Sequence, residues 1–317
     1  MSRRRTRASA PLAAGAGLAL LAAACWAPPA AAESVTFAYR PPVGRAFDLA
    51  ESHAESFELG VKKEQILVRT RTRIEASREG DRIYLRARIE EVEATHDGRP
   101  EKEPIAQSLE GASFVRTVRP DGSLVAIDGN RAVYEKLAAL STGDRKAEVE
   151  ATLEAGVIDD LDLYGWRQQI EMLAGQTLDL DRDYFFDDAF PTGRDGWVTH
   201  QTLFRLGPWE NRPEGRLLRV SVAFVPDARA VIPAAVRIES RVRTKLDLRH
   251  LPKLAAGYKL TGNASHLVDP STLTYWQAQV VRKIQQMTRV SDALSVTVTR
   301  EQRETGVLTA AGATGRP

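Results

Sequence analysis

Apolar and polar residues alternate with a period of two over long stretches of the chain. In residues 64–77 one face carries apolar residues and Thr while the other carries mainly Arg: Ile66, Val68, Thr70, Thr72, Ile74 and Ala76 against Leu67, Arg69, Arg71, Arg73 and Glu75. Because such alternation is typical of a strand with one solvated face, and resumes at residues 82–89, residues 64–89 are predicted to form a long hairpin. The alternation slips by one residue near Glu90 and Glu91, which predicts a β-bulge.

Several other segments show the same period. The longest alternation lies at 236–248, and we expect this strand to pair with 216–225. Further strands are predicted at 35–40, 47–58, 112–119, 123–128, 196–206, 257–268 and 293–304. Residues 272–288 fit both a helix and a strand. The aromatic pair Tyr275 and Trp276, together with the Asp-Pro turn before it, favours a strand there.

One block differs from the rest. Residues 130–173 show helical spacing, for example at Val133, Leu137 and Leu140, and predict short helices separated at glycines. The predicted fold is therefore mainly β (α+β), with long antiparallel strands forming a curved sheet or incomplete barrel and a central helical insert at 130–173. Residues 33–305 are predicted to form a single domain, and the small, polar residues 306–317 a disordered tail.

The first 32 residues have the order of a secretory signal peptide. A basic head with four Arg precedes an apolar stretch at 10–26 and the small residues Ala30, Ala31 and Ala32. Cleavage after Ala32 is favoured and predicts a periplasmic or secreted chain. The alternative is lipid attachment at Cys25, which would anchor the chain to a membrane. This site fits the lipoprotein pattern less well because Leu21 stands one position too far before the cysteine.

Charge and motifs exclude several function classes. Four of the 44 basic residues and none of the 42 acidic residues precede Glu33, so the mature chain would carry a net charge of −2. This balance gives no case for nucleic-acid binding. The five histidines lack metal-ligand spacing, and no nucleophile or phosphate-loop motif is present. We therefore expect no catalytic residue, metal or cofactor, and a non-enzymatic protein.

One acidic segment begins like a calcium loop. Residues 179–190 carry Asp at the first, third, fifth and ninth positions of the loop pattern. However, Tyr184 stands where the loop needs Gly, and Phe190 stands where it needs Glu. The segment is interpreted as a solvated acidic loop.

The order of signal peptide, strands, helices and strands resembles, in layout alone, exported bacterial lipoprotein carriers and exported bacterial families of unknown function. This resemblance implies carriage or scaffolding of apolar molecules. We expect a lipid or acyl chain to bind on a concave sheet face lined by Val222, Phe224, Ile238 and Val242. The expected partners are a lipid or lipoprotein, and association with a membrane surface stays open. The alternative is a structural or assembly protein of the envelope that acts through its Arg-rich outer sheet, and an exported hydrolase ranks third.

Overall fold

The computed structural model describes residues 33–59, 62–100, 104–154, 163–191, 197–226, 258–289 and 295–311. Its strands are β1 (Ser34–Thr36), β2 (Ala46–Leu59), β3 (Lys62–Glu79), β4 (Arg82–His96), β5 (Arg99–Pro100), β6 (Ser113–Val118), β7 (Leu124–Asp128), β8 (Thr177–Asp179), β9 (Asp183–Pro191), β10 (Trp197–Arg212), β11 (Gly215–Pro226), β12 (Tyr258–Asp269), β13 (Thr274–Arg289) and β14 (Ser295–Ala310). Its helices are α1 (Pro104–Leu109), α2 (Asn130–Leu140) and α3 (Gly143–Glu154), and a π-helical turn spans Arg167–Glu171. The chain is thus mainly β, and the helical insert is small.

One large antiparallel sheet dominates the molecule. Its strands follow the order β7-β6-β4-β3-β2-β14-β13-β12-β11-β10-β9, with β5 added beside β4, while β1 and β8 form a separate pair. Among the described residues, the edge strands β7 and β9 have no strand beyond them. Over the described strands, the sheet is therefore not closed into a barrel.

The predicted hairpin and its bulge are both confirmed. Strands β3 and β4 pair along their length, and the register shifts where Arg71 pairs with Glu91 but Thr72 pairs with Ile89. The extra residue, Glu90, lets the apolar positions on both sides of the bulge stay on the same face. The ambiguous segment at 272–288 is also a strand, β13.

Three predictions are corrected. The acidic segment is not a loop throughout, because from Asp183 onward it is the edge strand β9, with half-buried Tyr184 and Phe186 alternating with exposed Asp187. The expected pairing of 216–225 with 236–248 is wrong, since β10 and β12 occupy both edges of β11. The tail cannot begin at 306, since residues 307–310 of β14 pair with residues 47–50 of β2.

The core lies on one face of the sheet, here named the inner face. A single packed group joins Ile83 and Val118 from β4 and β6 with Phe204 and Leu206 from β10. Residues 35–39 and 170–178 contribute further buried members, including Phe37. The N-terminal segment and the chain around the π-helical turn therefore pack against this end of the sheet.

Two sequence predictions lie outside the described residues. These are the signal peptide at 1–32, with Cys25, and the strand at 236–248. Within the described part of the chain, no helix combines the length and the apolar character that crossing a membrane requires.

Candidate ligand-binding cavity

A cavity of about 830 Å³ opens on the inner face, beside the packed core. Its lining comes from strands β2, β3, β4, β6 and β12–β14 of the sheet, from α1 and from Gln169 of the π-helical turn. The described lining residues are Glu51, Ser52, His53, Glu55, Ile66, Val68, Thr70, Ile89, Ile105, Leu109, Phe114, Gln169, His266, Ala278, Val280, Glu304, Thr305 and Gly306.

The floor of the cavity is a row of four residues on neighbouring strands, and the strand register gives their order. Glu51 pairs with Gly306, Ala278 pairs with His266, and Gly306 pairs with Ala278. Two small residues therefore separate Glu51 from His266, and three strand intervals place these two about 14 Å apart. A Cβ atom on Gly306 would make only ordinary contacts, the nearest at 3.6 Å to Leu49. The backbone of Gly306 is in a conformation that other residues can also adopt, so the chain does not need glycine here. Its missing side chain leaves open space on the floor of the cavity.

The next row of the inner face carries an ion pair. Glu304 pairs in register with His53 and Val280. Its Oε1 lies 2.7 Å from a guanidinium nitrogen of Arg282 and 3.6 Å from Nδ1 of His53. Hydrogen bonding to His53 and the charge of Arg282 hold the pKa of Glu304 below its usual value. Glu304 is therefore a carboxylate whose charge is largely balanced by the protein.

Glu51 is in a different electrostatic position. It lies next to Glu304 on the floor, and within the described part of the chain no hydrogen bond or ion pair to its carboxylate is present. Burial raises the pKa of Glu51, the charge of Arg116 lowers it, and the charge of Glu304 raises it further. The cavity thus presents one carboxyl group without a direct partner.

His266 of β12 lies at the opposite end of the floor from Glu51. It is 7% exposed, its ring packs edge-on against Tyr275 with 5.2 Å between ring centroids, and no described residue forms a hydrogen bond with its Nδ1. Burial lowers the pKa of His266 to about 4, so the imidazole is neutral at pH 7. A neutral imidazole offers one acceptor and one donor.

The polar groups do not form a metal site. The described residues contain no group of three or more His, Cys, Asp or Glu side chains arranged to hold a metal ion. What the arrangement offers is an apolar wall, including Val68 of β3, Ile89 of β4 and Ile105 of α1, beside a floor with carboxylate and imidazole groups.

The residues predicted from sequence lie elsewhere or cannot be placed. Val222 is buried within the packed core group rather than in the lining of this cavity, and it borders a second depression of about 580 Å³. Phe224 follows on the same strand, paired with Thr202 and Gly262. Ile238 and Val242 lie outside the described residues. The structure therefore does not bring the four together in one described site.

The sequence did contain a signal for the cavity. Along β2, the inward positions change from Phe47 and Leu49 to Glu51, His53 and Glu55. Charged residues at strand positions that should face a core indicate either an open edge or a polar cavity. Nothing in the sequence shows which strands oppose them.

Comparison with known proteins identifies no family. No family model matches the chain, and no curated protein matches it. Among solved structures, DynF from the dynemicin biosynthesis pathway of Micromonospora chersina shares 11% identity and covers 87% of this chain and 85% of its own, with a TM-score of 0.17. OpdQ of Pseudomonas aeruginosa shares 7% identity, with 84% of this chain and 99% of OpdQ covered and a TM-score of 0.17. The translocator domain of the autotransporter NalP from Neisseria meningitidis shares 8% identity, with 83% of this chain and 88% of that domain covered and a TM-score of 0.17. At these TM-scores the likenesses carry no argument about fold or function.

Proposed function

We propose that this chain is an exported, non-enzymatic binding protein that holds an apolar or amphipathic ligand, such as a lipid or acyl chain, in the inner-face cavity. The observation that carries the proposal is the cavity itself, whose volume of about 830 Å³ falls in the usual range for small-molecule sites. Its apolar wall suits a hydrocarbon segment, and its polar floor suits a head group.

The fold supports this function in a specific way. In a flat sheet, β6 and β10 would lie about 38 Å apart, yet residues of both belong to one packed core group. We infer that the sheet curves into an incomplete barrel. The N-terminal segment and the π-helical turn fill one end of this curved sheet, and the cavity occupies the part that they leave open.

Ion pairs on the opposite, outer face weigh against the alternative of a structural protein acting through rows of Arg. Arg71 lies within ion-pair distance of Glu91, Arg73 of Asp48, and Arg205 of Asp183. These arginines are largely neutralised by acids on neighbouring strands, which is the ordinary use of such pairs. Their charge is therefore less available to a polyanion or to an anionic membrane surface.

A cavity-filling variant tests the proposal. Ala278→Trp places an indole over the cavity floor, whereas Gln277→Trp adds the same side chain at an exposed position on the outer face that borders neither depression. The neutral fluorescent probe N-phenyl-1-naphthylamine should bind the wild type and Gln277→Trp, and should bind Ala278→Trp at least about tenfold more weakly. Equal binding to all three proteins, with circular dichroism showing that each is folded, would refute the cavity as the binding site.

Native mass spectrometry of protein purified gently from its own envelope addresses the natural ligand. A lipid-mass adduct that dissociates on collisional activation supports the proposed carrier. A clean mass shifts the weight to the structural alternative. The same spectrum distinguishes a chain that starts at Glu33 from one that is acylated at Cys25.

A further inference from the structure

The charged groups that line the cavity are of one sign. The described lining residues include the carboxylates of Glu51, Glu55 and Glu304, and no Lys or Arg. Two arginines outside the lining offset part of this charge, because Arg282 forms an ion pair with Glu304 and the charge of Arg116 acts on Glu51. Glu51 nevertheless has no direct ionic contact with a described side chain, so a ligand entering this space meets its negative charge.

Glu51 is the lining carboxylate best placed to take a ligand group. No hydrogen bond or ion pair joins it to another described side chain, and small residues lie beside it on the floor. The residue is exposed where the cavity opens, so a ligand can reach its carboxylate. A charge-assisted hydrogen bond between this carboxylate and a ligand donor is roughly twice as strong as one between neutral groups.

His266 supplies a second and independent indication that the site is polar. It is buried and also lines the cavity, yet Nδ1 has no hydrogen-bond partner among the residues that the structure describes. Buried polar side-chain atoms are usually hydrogen-bonded, so an unpartnered one beside a cavity indicates a group that the protein itself does not supply. The complement that Glu51 needs is a hydrogen-bond donor, because a carboxylate only accepts, whereas Nδ1 of His266 can pair with either a donor or an acceptor according to its tautomer.

We propose that the ligand is an amphipathic cation, whose protonated amine binds beside Glu51 while its hydrocarbon part lies along Val68, Ile89 and Ile105. This inference rests on the proposed function, and it names the class of head group. An ammonium brings positive charge and several donors to a floor that has acceptors. A fatty-acid carboxylate in the same position would face like charge, which disfavours binding.

Competition among three ligands of equal chain length tests the head group. Bound N-phenyl-1-naphthylamine is displaced at pH 7 by dodecylammonium, dodecanol or dodecanoate, each kept below its aggregation concentration. Dodecylammonium should displace the probe at a concentration at least about tenfold lower than dodecanoate, because a charge-assisted hydrogen bond is worth about that much or more. The wild-type comparison needs no variant, so it stands even if a substitution impairs folding.

Two variants then test the role of Glu51. Glu51→Gln should remove most of the advantage of dodecylammonium while leaving displacement by dodecanol unchanged. Glu93→Gln removes one acid from the exposed outer face of β4 and should change none of the three. The proposed amine head group would be refuted if dodecanoate displaced the probe as efficiently as dodecylammonium, or if Glu51→Gln affected all three ligands equally. Either result would still leave the cavity as the binding site. If the probe does not bind the wild type, or none of the three displaces it, the proposed function itself falls.

Discussion

The imidazole of His266 is kept neutral by its surroundings. It lies on the inner face of β12, 7% exposed, against the ring of Tyr275 and without a partner for Nδ1. Burial disfavours the charged form and lowers the pKa of His266 from 6.5 to about 4. Protonation of this residue is therefore coupled to unfolding.

The coupling predicts a loss of stability in mild acid. Between pH 6.5 and 4 the unfolded chain binds a proton at this residue and the native chain does not, so the free energy of unfolding falls as the pH falls through this window. Lowering the pH from 7 to 5 should cost about 2 kcal/mol through His266. His266→Phe should lose that part of the pH dependence, as measured by urea unfolding at pH 7, 6 and 5.

Other groups also titrate in this range, so the quantity to compare is the difference between wild type and variant at each pH. That difference should shift in favour of His266→Phe as the pH falls. Parallel pH profiles would mean that His266 is protonated without cost in the native state, and would contradict the burial described here.

At the scale of elements, the segment before β2 is an integral part of the fold. Strand β1 pairs with β8, the amide of Phe37 donates to the carbonyl of Gln176, and the amide of Gly175 donates to the carbonyl of Phe37. The side chain of Phe37 is fully buried in the packed core group. This segment thus joins the chain around the π-helical turn to the end of the sheet.

Phe37→Ala should therefore destabilise the whole molecule. Loss of a fully buried Phe and the cavity left behind typically cost about 3–5 kcal/mol. Val43→Ala is the matched control, because Val43 lies nearby but is 46% exposed, and its effect should stay within about 0.5 kcal/mol. Denaturant unfolding measures both, and similar values for the two variants would show that the N-terminal segment is not part of the cooperative unit.

At the scale of the whole molecule, strands from the two ends of the described chain meet in the centre of the sheet. β14 pairs with β2 from Val298 opposite Leu59 to Ala310 opposite Phe47. This contact joins the β2–β7 half of the sheet to the β9–β13 half. Such a non-local pairing requires closure of most of the chain as a loop, and it completes one continuous sheet.

Truncation tests how far this pairing contributes to stability. A chain ending at Gly306 loses the four residues 307–310 that pair with β2, whereas a chain ending at Ala311 keeps them. The shorter chain should be less stable by about 2 kcal/mol or more, because each lost backbone hydrogen bond contributes about 0.5–1.5 kcal/mol. Thermal melts followed by circular dichroism compare the two. Equal melting temperatures would favour the disordered tail that composition alone predicted from residue 306.

Local patterns determined most of the elements. Alternation predicted β2, β3, β11 and β12 to within two residues of their actual bounds, and the slip at Glu90 predicted the bulge. These predictions succeeded because the side-chain period of a strand is a property of a few consecutive residues. The end of β14 was not predicted, because its small and polar residues show no clear alternation of apolar and polar positions. Pairing with β2 keeps these residues in a strand.

Only the tertiary structure decided where the cavity lies. The sequence showed that Glu51 and His53 occupy inward positions of a strand, but their neighbours Glu304, Gly306 and His266 come from the distant strands β14 and β12. The predicted residue Val222 shares the inner face, yet it lies where other side chains fill the core. Periodicity assigns a residue to a face. Whether that face is filled or open depends on which distant segments pack against it, and this is a property of the folded chain as a whole.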